Sequence, residues 1–114
     1  MSDNTVKVVN SEYSPLGEMG QKYLVSGKKV SMRIWEGVPP GDLKSPSQRV
    51  YETVGYVLKG KAELHIGTHL VMLEPGSSWL VPEGTPHTYK ILEVFTAVEA
   101  TSPPAEVHGR DSNI

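Results

Sequence analysis

The sequence predicts an all-β fold, and three observations carry that prediction. Short apolar and β-branched runs recur along the 114-residue chain. The chain holds 11 glycines and 9 prolines, and many of them stand between those runs. No segment repeats its apolar residues at the helical period of about 3.6. Many short strands with turns between them make a sandwich or a barrel.

The elements follow in order. Thr5–Val9 is β-branched and reads as an edge strand; Asn10–Gly20 reads as irregular. Tyr23–Val25 is a short strand before a turn at Gly27-Lys28. Val30–Trp35 alternates, with Val30, Met32 and Ile34 on one face and Ser31, Arg33 and Trp35 on the other. Gly37–Gln48 carries three prolines and reads as a long loop of the kind that often serves function. Val50–Leu58 is a strand, Lys59-Gly60 a tight turn, and Lys61–Ile66 a strand with Ala62, Leu64 and Ile66 facing in. His69–Leu73 returns from the turn at Gly67-Thr68. Trp79–Val81, His87–Ile91 and Val94–Ala100 complete the series. Residues 1–104 form one domain and residues 105–114 a tail.

Composition narrows the function classes. Hydrophobic residues make up 38% and charged residues 21%, as in an ordinary globular chain. The net charge is −2 with no run of like charge, so no nucleic-acid footprint is expected. No stretch approaches the ~18 apolar residues of a membrane-spanning helix. Absence of cysteine excludes disulfides, zinc–thiolate sites and thiol catalysis. The N-terminus, Met1-Ser2-Asp3-Asn4, has no signal-peptide layout, and a cytoplasmic location is expected.

Two spaced patterns stand out. The second in the chain is Gly76, five residues, Pro82, one, Gly84, two, His87, three, Ile91. The first is Gly41, five residues, Ser47, one, Arg49, three, Thr53, six, Gly60, and fifteen residues separate the two. Glycine and proline at such positions allow the sharp corners of a rolled sheet. Together these patterns resemble the two motifs of the cupin family. The resemblance implies a double-stranded β-helix, or jelly-roll barrel. In metal-bearing cupins the matching positions carry two histidines, an acid or amide, and a last histidine. Here they are Ser47, Arg49, Thr53 and His87, so three of the four have changed. The resemblance therefore implies a degenerate metal site, with no tightly bound cofactor expected and a divalent transition metal on His87 as the other reading. The run Tyr51–Gly60, with Leu92-Glu93 and Ser102-Pro103-Pro104, further resembles small cupins that open unsaturated uronate sugars. An acid, an aromatic and an arginine near their last strand align here with Glu99, Thr101 and Ala105.

Each candidate has a chemical and a plain reading. His87 reads as a pocket base, a lone ligand or a hydrogen-bonding core residue. Tyr89 shares its face by strand parity and reads as a cavity wall or a packed aromatic. Arg49 reads as an anion anchor or as a solvated arginine at a strand start. Ser47 and Thr53 are weak neutral donors beside it. Strand parity aims Glu52 away from the interior, and a bulge would turn it inward. Glu99 falls in an apolar run and reads as an auxiliary acid or as an outward-facing carboxylate. His65 and His69 read as surface residues, Trp35 and Trp79 as core or interface.

The functional expectation is a small-molecule-binding protein, with an anionic ligand and an isomerase, epimerase or lyase activity on a sugar or small organic acid. The alternatives are a non-catalytic binding or sensing module, and a metal enzyme with an unusual ligand set. A homodimer is expected, because Thr5–Val9 and Val30–Trp35 read as edge strands that need covering.

Overall fold

A computed structural model of the chain describes residues 6–17 and 19–105. A short 3-10 helix, Ser11–Tyr13, is capped by Asn10, whose side chain accepts the Glu12 N–H. Six strands follow: β1 Lys22–Ser26, β2 Ser31–Val38, β3 Glu52–Ile66, β4 His69–Leu73, β5 Ser78–Val81 and β6 His87–Ser102. All pairings are antiparallel, in the order β1-β2-β6-β3-β4, with β5 also on β3.

Two long strands organise the molecule. The first half of β3 lies between β5 and the last residues of β6. Its second half lies between β4 and the first residues of β6. Register shifts between Val57 and Ala62 mark the change, opposite Glu93 and Thr96. Extra residues at such bulges bend both strands together. The Lys59-Gly60 turn expected from sequence is thus a bend inside one strand, and the two strands expected over 87–100 are one. Gly60 has φ +85, and a Cβ there would strike the Val94 carbonyl, so the bend requires glycine.

Bending folds one half of the sheet over the other. Val57, Val81 and Ala97 from the first half meet Ala62, Leu64 and Leu73 from the second, with Phe95 beside the bend. Ala62 and Leu64 face inward as the alternation predicts.

Two other expectations are corrected. Val6–Val9 form no strand, and Val6 and Val8 lie exposed. Thr5 lies outside the described residues, as does the His108–Asp111 part of the expected tail. β2 is not an edge strand, because β1 and β6 flank it on both sides. Ala105 is buried, and its N–H donates to Ser31 Oγ and Thr101 Oγ1.

Candidate functional site

The inner face of β2 is its polar one. Ser31 and Arg33 are buried, while Met32 is exposed. This is the register's doing: Arg33 lies opposite Glu99 on β6, and Glu99 lies opposite Gly55 on β3. Directly opposed residues share a face, so a cation and an acid meet inside.

Glu99 is therefore inward and buried, as its chemical reading requires. Its Oε1 accepts from Arg33 Nε at 2.7 Å and from Trp35 Nε1 at 2.7 Å. Arg33 also donates through Nη1 to the Tyr51 hydroxyl at 3.1 Å. Its guanidinium carbon stands 5.3 Å from the Trp35 ring centroid and 5.4 Å from that of Tyr51. Two aromatic faces, a hydroxyl and a carboxylate together offset removing this cation from water.

The second cluster begins at the start of β6. Backbone N–H groups of Ser47 and His87 donate to each other's carbonyls at 2.9 and 3.0 Å, which ties the long loop to the strand. Gly84 N–H donates to the Arg49 carbonyl at 2.9 Å, and Gln48 Nε2 to the Gly84 carbonyl at 2.8 Å. The Pro82–Gly84 turn is so fixed against the loop, and His87 enters the interior. His87 Nδ1 sits 2.9 Å from the Thr85 carbonyl oxygen. A carbonyl only accepts, so Nδ1 carries the proton and the neutral ring keeps its lone pair on Nε2.

Tyr89 follows on the same face. Its ring meets that of His87 edge-on, with centroids 5.6 Å apart. Trp79 Nε1 donates to the Tyr89 hydroxyl at 3.2 Å. Burial, and then the negative charge of Glu99, push this phenol well above the usual tyrosine range. The Trp79 hydrogen bond and the Arg33 charge act in the opposite direction without cancelling the rise. Tyr89 thus senses the first cluster electrostatically while touching His87. Gly55 makes room between them, since a Cβ there would run into the Trp79 ring.

The remaining sequence candidates divide. Thr53 is buried, opposite Val81 and Thr101. Arg49 is half-buried, with Nη2 3.2 Å from Met19 Sδ, while Arg33 is the arginine beside Glu99. Glu52 is exposed, as strand parity aims it. Thr101 and Ala105 are buried and bonded to Ser31, so two of the three positions aligned with the uronate-opening cupins are structural contacts here. His65 bonds Glu63 Oε1 at 2.9 Å on the outer side, and His69 is exposed. Sequence reasoning missed Arg33, Tyr51 and the N–H roles of Trp35 and Trp79. The available signal was parity: Arg33 shares a face with Ser31 and Trp35, but the register that joins it to Glu99 spans 66 positions.

A metal is tested against the donor set itself. Among the described residues, no three His, Cys, Asp or Glu side chains form a group that could hold an ion. The matched positions offer one imidazole nitrogen, two neutral hydroxyls and a cation. A divalent ion loses its water only against several converging anionic or neutral strong donors. These residues do not fit the metal of metal-bearing cupins.

The model of the cupin domain family matches residues 34–98. The chain belongs to the cupin family, and its rolled antiparallel sheet is the family's jelly-roll barrel. It is similar in structure to KdgF from Halomonas sp., at 19% identity and TM-score 0.75, over 87% of this chain and 94% of that one. An RmlC-like cupin from Shewanella frigidimarina aligns with TM-score 0.74 and 14% identity, over 87% and 92% of the two chains. The dimethylsulfoniopropionate (DMSP) lyase DddQ from Ruegeria pomeroyi aligns with TM-score 0.65 and 20% identity, over 82% of this chain and 54% of that one. At these identities the likeness is one of fold. A search of curated proteins gave no match.

Proposed function

We propose that the barrel binds a small polar molecule and acts on it as an isomerase, epimerase or lyase of a sugar or small organic acid, with His87 as the base. One observation carries this reading: the Thr85 carbonyl holds the proton on His87 Nδ1, which leaves Nε2 as a proton acceptor beside Tyr89. Tyr89 already accepts from Trp79, so its own O–H remains to donate. Its raised pKa keeps that proton in place through the physiological range.

An acceptor and a donor on adjacent same-face positions suit proton abstraction next to a carbonyl. Nε2 takes the proton from the α-carbon. The C–H electrons form a carbon–carbon double bond, and the carbonyl π electrons move to oxygen, where the Tyr89 O–H hydrogen-bonds the developing charge. On a 2-hydroxy carbonyl ligand the hydroxyl proton passes to the former carbonyl oxygen, and as the new carbonyl forms the double-bond electrons take the proton back from Nε2 at the former carbonyl carbon, which isomerises the ligand; alternatively the enolate carbonyl re-forms as a β-substituent leaves with its electron pair, which completes an elimination. No metal takes part, in keeping with the degenerate donor set. An anionic ligand is part of the reading because Arg49 follows Ser47, the backbone partner of His87, by two residues.

Uronates, 2-hydroxy aldehydes and keto acids form the assay panel, followed by NMR in deuterated water. Incorporation of deuterium at carbon, abolished in His87→Ala, is the expected result. Turnover that survives the substitution removes His87 from the mechanism.

A non-catalytic binding module is the second reading. It is favoured by Glu99, whose Oε1 is held by both Arg33 and Trp35. Stabilisation of about 2.7 kcal/mol at a hundred times the Kd, with the ligand recovered unchanged, would select it.

A further inference from the structure

The inward face of the second half of the sheet carries a second histidine. Ile66 on β3 lies opposite His87 on β6 and opposite His69 on β4. Directly opposed residues share a face, and Ile66 packs against the core. His87, Ile66 and His69 therefore form one inward row across three strands. Tyr89, Leu64 and Val71 form the row beside it. His65, opposite Thr88 and Leu70, points to the other face. The row runs from the interior to the rim. His87 is 9% exposed, while His69 stands exposed on β4, the last strand in the order of the sheet. His69 is thus a surface residue that shares the face of the buried imidazole.

Spacing decides what two such imidazoles can do together. Adjacent strands lie about 4.8 Å apart, so the Cα atoms of His87 and His69, two strands apart, are separated by roughly 10 Å. Side chains of a strand stand roughly perpendicular to the sheet, which carries much of that separation to the ring nitrogens. Two nitrogens that serve one carbon from opposite sides, each about 3–3.5 Å from it, stand only about 6–7 Å apart. A base at an α-carbon and an acid at an oxygen on the β-carbon stand roughly 8–9 Å apart, because a carbon–carbon and a carbon–oxygen bond lie between their contacts. The row matches the second case.

We infer that His69 is the general acid that protonates the leaving oxygen in a β-elimination whose base is His87. The inference rests on the proposed role of His87 and narrows it: the reaction is a lyase step, and the substrate is a carbonyl compound with a hydroxyl or alkoxyl group on its β-carbon. Such a ligand lies over Ile66, with its carbonyl oxygen at Tyr89 and its β-oxygen toward β4. His87 Nε2 takes the α-proton, and charge collects on the carbonyl oxygen. As the carbonyl re-forms, the former C–H electron pair becomes the α–β double bond. The β-carbon–oxygen bond breaks with its pair on oxygen, and that oxygen takes a proton from the imidazolium form of His69, which is left neutral. Exposure lets His69 regain a proton from water, and His87 returns its own to solvent.

The test varies the leaving group. Each keto acid and uronate of the panel is prepared with a methoxy or a chloro group on the β-carbon, and wild type, His69→Gln and His87→Ala are followed by NMR in deuterated water. Methoxide must be protonated to leave, whereas chloride leaves as a stable anion. His69→Gln, at an exposed position, is expected to keep the wild-type circular dichroism spectrum. Its elimination of methanol should fall about 100-fold or more, and its elimination of chloride should stay within about threefold of wild type. Deuterium should still enter the α-carbon of the methoxy compound, since His87 remains. A merely structural role for His69 would slow both leaving groups alike. Equal losses for the two, or no loss for methoxide, overturn the assignment of His69 and leave His87 as the base. So does a wild type that exchanges deuterium but eliminates neither group. A wild type that neither exchanges nor eliminates overturns the role of His87 and this inference with it.

Discussion

Arg33 and Glu99 meet inside the barrel, Nε to Oε1 at 2.7 Å, with both side chains buried. The pair shows that this cupin buries a cation and a carboxylate in its interior. The interior holds this cation and carboxylate together with the imidazole of His87 and the phenol of Tyr89, which feels the Glu99 charge. Two buried charges are favourable only together, because each alone would keep its full desolvation cost.

Breaking that pair should be far worse than deleting it. Arg33→Met or Glu99→Leu alone is expected to cost about 3–5 kcal/mol, and the double variant clearly less than either. Urea unfolding of the four proteins measures this. Additive losses in the double variant would mean that the two groups do not depend on one another.

Alkaline pH should weaken the fold through Tyr89. An unfolded tyrosine titrates near 10, and the folded phenol is held above that. Below 10 both states keep the proton. Above 10 the unfolded chain releases it while the folded chain does not, so stability falls as pH rises, by up to about 1.4 kcal/mol per unit for this group. Tyr89→Phe removes the effect and loses roughly 1 kcal/mol for the Trp79 hydrogen bond at neutral pH. Denaturation of wild type and variant between pH 9 and 11 reads the difference. Parallel curves would contradict the burial of the phenol.

The bend of β3 should depend on one missing side chain. Gly60→Ala places a Cβ against the Val94 carbonyl at positive φ, and a loss of about 2–4 kcal/mol is expected from strain and overlap together. Gly41→Ala is the control, since its Cβ would meet no atom and its backbone is unstrained. A change within about 0.5 kcal/mol is expected there. Equal effects at both sites would refute the bulge as the origin of the bend.

Metal content should be low. Purified protein is expected to hold less than roughly a tenth of an equivalent of any transition metal after soaking and dialysis. About one equivalent that disappears in His87→Ala would show a ligand set assembled from other residues.

Much of this architecture is legible in the sequence because it rests on spacing. Gly76, Pro82, Gly84 and His87 fix a turn and a strand start by local geometry, and Ala62, Leu64 and Ile66 announce an inward face. Arg33 is harder to read. Its strand alternates cleanly, but alternation does not say which face is buried, and an apolar Met32 face looks like the inner one until β6 supplies Glu99. The continuity of β3 through Lys59-Gly60 is hidden for a related reason. Glycine there is read as a turn by local chemistry, whereas pairing with β6 on both sides of it makes a bend. Val6–Val9 shows the reverse case: β-branched composition in a segment that forms no strand.

The ring nitrogens of His87 test the functional account most directly. Nitrogen-15 NMR of the histidine side chains, at a pH where the ring is neutral, distinguishes a protonated from a lone-pair nitrogen. The account predicts hydrogen on Nδ1, a bare Nε2, and a shift of Nε2 when a bound hydroxy or keto acid is added. Hydrogen found on Nε2, with Nδ1 bare, would contradict it.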